Sequence, residues 1–168
     1  MSTPQPQPQP PPLGGPGPAG TTRSPTAPRT VLVGVDGSPG AARALAWATA
    51  RAGESGATIV AVHVLTASTE LRRDVTLDTM TTWRRKLGRC LNGGWTASAR
   101  AAGVPVRCLL VHDDTTSGGL LDAATGEHAD LIVLGARGHD SLTGRLLGAT
   151  TYKVTHRAHS PVVVVPPP

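Results

Sequence analysis

The chain has 168 residues, a length that fits one domain plus a terminal extension. It has no Phe, one Tyr and three Trp, so a core must come mainly from Val, Leu, Ile and Ala, the palette of a parallel sheet covered on both faces. The net charge is +5, but the basic residues are scattered apart from Arg84-Arg85-Lys86 and no aromatic platforms interleave with them, which argues against nucleic-acid binding.

Residues 1–28 hold ten of the sixteen prolines, as Pro-Gln and then Gly-Pro repeats, with almost nothing apolar to bury. Such a stretch cannot offset its ordering entropy and reads as a disordered, polyproline-biased tail ahead of one domain, residues 29–168. Thr30 to Val35 is then a short apolar run, a buried strand, that ends in Asp36-Gly37-Ser38-Pro39. Ser38 suits an N-cap and Pro39 a first helical position. Ala41, Ala44, Leu45, Ala48 and Ala52 follow at helical spacing, and the helix is expected to stop near Gly53 to Gly56.

Ala57 to Leu65 reads as a second strand. A long, mostly helical stretch follows, with Met80, Trp83, Leu87 and Leu91 in register and a break or kink at Asn92-Gly93-Gly94. Val104 to Val111 is the third strand, a helix around Leu120 and Leu121 ends near Gly126, and Leu131 to Leu134 is the fourth strand. Gly135 to Leu147 reads as a loop with one helical turn at Leu142 to Leu147, Thr150 to Ala158 as the last helix, and Val162 to Val165 as the fifth strand.

Alternating β and α segments with short apolar strands predict an α/β fold, a five-stranded parallel doubly wound sheet of the Rossmann-like sandwich type. Right-handed crossovers restrict its topology. In the order 3-2-1-4-5 the winding reverses between strands one and four, where ligands bind beyond the carboxyl ends. Strand one ends at Asp36 and strand four at Gly135, so the two most distinctive turns are expected to meet at one crevice.

That crevice suits phosphate. Backbone must approach an anion without Cβ atoms in the way, and N–H groups must point at it. Gly135, Gly138 and Gly148 meet the first need; the amides and hydroxyls at Ala149, Thr150 and Thr151, opening the last helix, meet the second, and Arg137 adds charge. The spacing is neither a P-loop nor GxGxxG, and by itself it fits glycines that serve only the turns equally well.

Gly135-x2-Gly138-x9-Gly148, preceded by Ala129-Asp130-Leu131-Ile132-Val133-Leu134 and followed by Ser160-Pro161-Val162-Val163-Val164-Val165, resembles the universal stress protein family. Val33 to Ser38 is similar to that family's first strand and turn, and His63-Val64 to the end of its second strand. The resemblance runs over roughly residues 29–166. It implies an ATP site, with or without Mg2+, in which Asp36 lies by the ribose or metal-phosphate region and Val35 and Val64 flank the adenine. Leu134 and Gly135 would lie beneath the nucleotide, with Gly138 and Gly148 to Thr151 on the phosphates. It also implies a homodimer through Val162 to Val165. Ala149 stands where the ATP-binding branch usually has Ser or Thr, which removes one hydroxyl contact. His112-Asp113-Asp114-Thr115 departs from a usual Gly-x-Pro turn, at a place expected to be farther from the pocket.

Other functions fit less well. A phospho-accepting receiver needs an acidic pair after strand one and a Lys after strand five; only Asp36 and a run of prolines stand there. No GxSxG elbow or paired cysteine base indicates an enzyme, although the resemblance leaves slow ATP hydrolysis or autophosphorylation open. Cys90 and Cys108 lack metal or disulfide spacing and read as reduced, buried thiols. His156 and His159 read as cations at a helix end rather than metal ligands. No membrane span or signal peptide is evident, which points to the cytoplasm. The expected function is nucleotide-responsive regulation in the stress response; the alternative is an interaction module of the same fold without ATP.

Overall fold

The computed structural model describes residues 27–66, 77–138 and 147–168. Five parallel strands form one sheet in the order β3-β2-β1-β4-β5: β1 (Thr30–Gly34), β2 (Thr58–Leu65), β3 (Val106–His112), β4 (Leu131–Gly135) and β5 (Val162–Val165). The expected architecture and strand order are both present. The predicted tail lies, except for its last two residues, outside the described residues, as does nearly all of the predicted turn at Leu142 to Leu147.

Strand β1 is central and its Val31, Leu32 and Val33 are fully buried, as a strand covered on both faces must be. Val31 pairs with Ile59 on one side and Leu131 on the other. Alternate residues feed two cores. One packs Val31, Val33, Ile59 and Ala61 against Ala44, Leu45, Ala48 and Ala52 of helix α1 (Pro39–Ser55). The other packs Leu32, Val60, Val62, Ile132 and Leu134 against α4 (Thr116–Gly126) and α5 (Ala149–Arg157).

Local chemistry sets the start of α1. Ser38 caps it by accepting the Ala41 N–H at 3.1 Å, and Pro39 opens it. Its end lies within the expected stretch: Gly53 is still helical, and the stop is Gly56 with φ 66°, a left-handed cap that glycine adopts without strain. Between β2 and β3 lie α2 (Leu77–Arg89), a π-helical turn (Cys90–Gly94) and a short α3 (Ala97–Ala101). The expected break at Asn92-Gly93-Gly94 is therefore present, as a π-helical turn between two helices. Strand β3 begins at Val106, not Val104, because Pro105 supplies no N–H to a ladder; its carbonyl instead accepts from Ile59 at 2.9 Å.

At the amino ends of the strands, Asp130 Oδ2 accepts the N–H groups of Arg29 (2.7 Å) and Thr30 (2.9 Å), pinning the start of β1 to that of β4. These two backbone bonds, first Thr30 and then Arg29, with the Arg29 charge adding, hold the carboxyl below the usual aspartate range against a small opposing desolvation.

Both cysteines are free and half-buried rather than buried. The Cys108 thiol donates to the Leu91 carbonyl at 3.5 Å and lies 3.4 Å from Nη2 of Arg100. His156 Nδ1 bonds the Tyr152 carbonyl at 2.8 Å within its own helix. Among the described residues no cluster of three or more His, Cys, Asp or Glu could hold a metal, and no helix is long and apolar enough to cross a membrane.

Candidate functional site at the carboxyl ends of β1 and β4

The turn after β1 is built around Asp36, whose Oδ1 accepts the Ser38 N–H at 2.9 Å. The bond folds the carboxylate back over the start of α1, where the helix dipole favours negative charge. Gly37 follows with φ +82°, a conformation that a side chain would strain.

The turn after β4 meets it directly. A Cβ on Gly138 would lie 2.6 Å from Oδ2 of Asp36, so the two turns touch only because residue 138 has none. The expected juxtaposition across the crevice is present. Behind it the backbones press closer still. A Cβ on Gly135 would lie 2.5 Å from the carbonyl carbon of Gly40 and 2.6 Å from its oxygen, and a Cβ on Gly40 would collide with the carbonyl of Arg137. Helix α1 thus packs on the end of β4 through a glycine–glycine contact.

The two ends of the loop are tied together. The Gly148 N–H donates to Ala136 O at 2.8 Å, and the Thr151 hydroxyl to Gly135 O at 2.9 Å. The first intrahelical bond of α5 is Tyr152 N–H to Gly148 O, so the amides of Ala149, Thr150 and Thr151 precede the hydrogen-bond ladder. Gly148 caps the helix with no side chain to satisfy them, whereas Ser38 and Thr115 cap α1 and α4 with their hydroxyls. A helix start left in this state suits an anion.

The sequence-predicted residues therefore separate. Asp36 and Gly138 meet at the crevice, and Gly148, Ala149 and Thr150 open α5 at the far end of the loop that Gly138 begins. Gly135 is glycine because of Gly40, and the Thr151 hydroxyl, buried with its residue, is spent on the Gly135 carbonyl. Arg137 is half-buried with its carbonyl against Gly40. Val35, Val64 and Leu134 are 5%, 7% and 4% exposed: their side chains belong to the two cores, and what they can offer a ligand is backbone. The His112 to Thr115 turn is a capping turn, with Asp113 Oδ1 accepting from Thr115 N at 2.8 Å and Thr115 Oγ1 from Gly118 N at 3.0 Å. It follows the edge strand β3, two places from β1 in the sheet, and Gly119 beyond it packs against both Asp113 and Val64.

Two residues were missed. Gly40 carried no signal beyond its place in an alanine-rich helix. Trp95 stands half-buried beside the Asp36 turn; a Cβ on Gly37 would lie 2.9 Å from its indole Cε2, Cζ2 and Nε1. The signal available was an aromatic residue immediately after the Asn92-Gly93-Gly94 break.

Comparison with known proteins identifies the family and agrees with the fold. Residues 28–166 match the model of the Universal stress protein family. A Thermus aquaticus relative, the universal stress protein in the QAH/OAS sulfhydrylase 3' region, is 34% identical over 137 residues, covering 82% of this chain and 98% of its own. A Mycobacterium tuberculosis universal stress protein is also 34% identical over 137 residues, but there this chain covers only 44% of the relative. A universal stress protein solved in complex with cAMP superposes with a TM-score of 0.65 at 28% identity, covering 83% of this chain and 97% of that one.

Proposed function

The chain belongs to the universal stress protein family, and from that premise we propose that it binds ATP, with Mg2+, in the crevice between the Asp36 turn and the start of α5, and uses the nucleotide as a regulatory signal. The observation that carries the reading is the start of α5: the Ala149, Thr150 and Thr151 amides lie ahead of the helical ladder, capped only by Gly148, beside a second turn reached through Gly138. An anion at such a helix start gains about 0.3–1 kcal/mol per charge at exposed sites and up to ~2 kcal/mol where partly buried. The complex of a 28%-identical relative with cAMP supports an adenine nucleotide in particular.

The residues present suit the group. The α5 amides and the half-buried Thr150 hydroxyl would take phosphate oxygens, and Gly138 leaves room for them. The Asp36 carboxylate would take the ribose hydroxyls or a phosphate-bound cation. ATP would supply the charge and the base that shift the protein between conformations or partners. We further propose a homodimer through β5, whose four valines are all half-buried at the edge of the sheet. An unpaired parallel edge of this kind invites a second strand.

Isothermal titration of the full chain with Mg-ATP tests the site, and sedimentation equilibrium tests the dimer. Saturable heat at micromolar to low-millimolar ligand is expected, with a rise in melting temperature. The absence of both up to millimolar ATP would favour the interaction-module reading instead.

A further inference from the structure

The segment joining β2 to β3 has a feature the sheet does not require. At Cys90–Gly94 the helix widens into a π-helical turn, closed by the Trp95 N–H on the Cys90 carbonyl at 2.8 Å. Such turns rotate everything that follows about the helix axis, and they recur at functional sites. This one is held firmly. Leu91 is buried, and its carbonyl accepts both the Thr96 hydroxyl at 2.7 Å and the Cys108 thiol at 3.5 Å.

Trp95 is the residue that emerges. Its indole lies on Gly37, the residue after Asp36, where a Cβ would come within 2.9 Å of three ring atoms. It also packs in part against the core on the α1 side of the sheet, and it meets His63 edge-on with ring centroids 5.2 Å apart. His63 is in turn fixed by Nδ1 against the Val35 carbonyl at 2.7 Å, which makes that nitrogen the protonated one. Gly37 is therefore required twice, once by its φ of +82° and once by the indole.

We infer that Trp95 is a ligand-contacting wall of this crevice, presenting its indole to the base and ribose of a bound purine nucleotide, and that His63 is a positioning residue for the indole. The inference rests on the nucleotide reading above and assigns to that site a residue the glycine spacing does not contain. Phosphates at the start of α5 leave the rest of a nucleotide to extend past Asp36 toward the β1–β2 side. There Val35 and Val64 have turned their side chains into the cores, whereas Trp95 stays half-exposed. An indole face gives a base apolar contact and π-stacking together, which aliphatic walls do not.

The test uses the full chain with Trp95→Leu and Trp95→Phe, each checked by thermal melting for a retained fold. Mg-ATP and inorganic tripolyphosphate are titrated calorimetrically into each. The expected result is an affinity for ATP lower by about tenfold in the Leu variant and by less in the Phe variant, with tripolyphosphate binding unchanged. In a Trp47→Phe/Trp83→Phe background, the remaining Trp95 emission should change on ATP addition with the calorimetric midpoint. Equal ATP affinity in Trp95→Leu and the parent, or equal losses for ATP and tripolyphosphate, overturns the inference and leaves the nucleotide site standing. A parent chain that binds no ATP overturns the nucleotide reading and the inference with it.

Discussion

Replacing Gly135 by Ala adds one methyl group at the place where β4 touches α1. The new carbon would lie 2.5 and 2.6 Å from the Gly40 carbonyl carbon and oxygen, against a comfortable separation of about 3.4 Å or more. Both obstacles are backbone, so no rotamer change relieves them; α1 must retreat by close to 1 Å. That helix supplies Ala41, Ala44, Leu45, Ala48 and Ala52 to the core, and their contacts loosen with it. Overpacking of this kind costs typically 1–3 kcal/mol. For a domain of this size about 1 kcal/mol moves the melting temperature by roughly 2–4 °C, so a fall of about 2–12 °C is expected by calorimetry or circular dichroism. Gly148→Ala is the control. A Cβ there would meet only Ala136 O at 3.5 Å and Arg137 Cα at 3.8 Å, ordinary contacts, and φ −68°, ψ 154° suits any residue. Its melting temperature should stay within about 2 °C of the parent, while its Mg-ATP affinity falls because the methyl group stands at the anion end of α5. If Gly135→Ala melts with the parent, or Gly148→Ala is the less stable of the two, the division between a packing glycine and a binding glycine is wrong.

Two further outcomes follow from the same geometry. Ala149→Ser should tighten Mg-ATP binding by up to about tenfold, the worth of one hydrogen bond of about 0.5–1.5 kcal/mol, in the same calorimetric titration; unchanged affinity would mean that the side chain at 149 does not reach the ligand. Asp130 has its folded pKa depressed, so its contribution to stability is present at neutral pH and lost as the pH falls below the ordinary aspartate range, near ~4, through the lower folded value. In urea titrations Asp130→Asn should therefore be less stable than the parent at pH 7, by at most about 1 kcal/mol at this exposed site, and the gap should close toward pH 2–3. A gap that is constant with pH would show that the charge plays no part.

The order of the elements was legible in the sequence because their signals are local. Short apolar runs such as Val31-Leu32-Val33 and Ile59-Val60-Ala61-Val62 mark strands buried on both faces, and Ser38-Pro39 marks a helix start; neither depends on a distant residue. The crevice was legible as well, since the strand order puts the Asp36 and Gly138 turns side by side whatever the loops contain. Tertiary structure alone decided what each of those residues does there. Gly135, Gly138 and Gly148 look alike in a motif, yet the first faces backbone from α1, the second a carboxylate and the third open contact distance. The Thr151 hydroxyl, equally available on paper, is consumed by Gly135. Trp95 reaches Gly37 through a π-helical turn whose rotation no hydrophobic period reports. Sequence patterns record which backbone shape a residue favours; which neighbour needs a Cβ to be absent, or takes up a hydroxyl, is fixed by contacts between segments far apart in the chain.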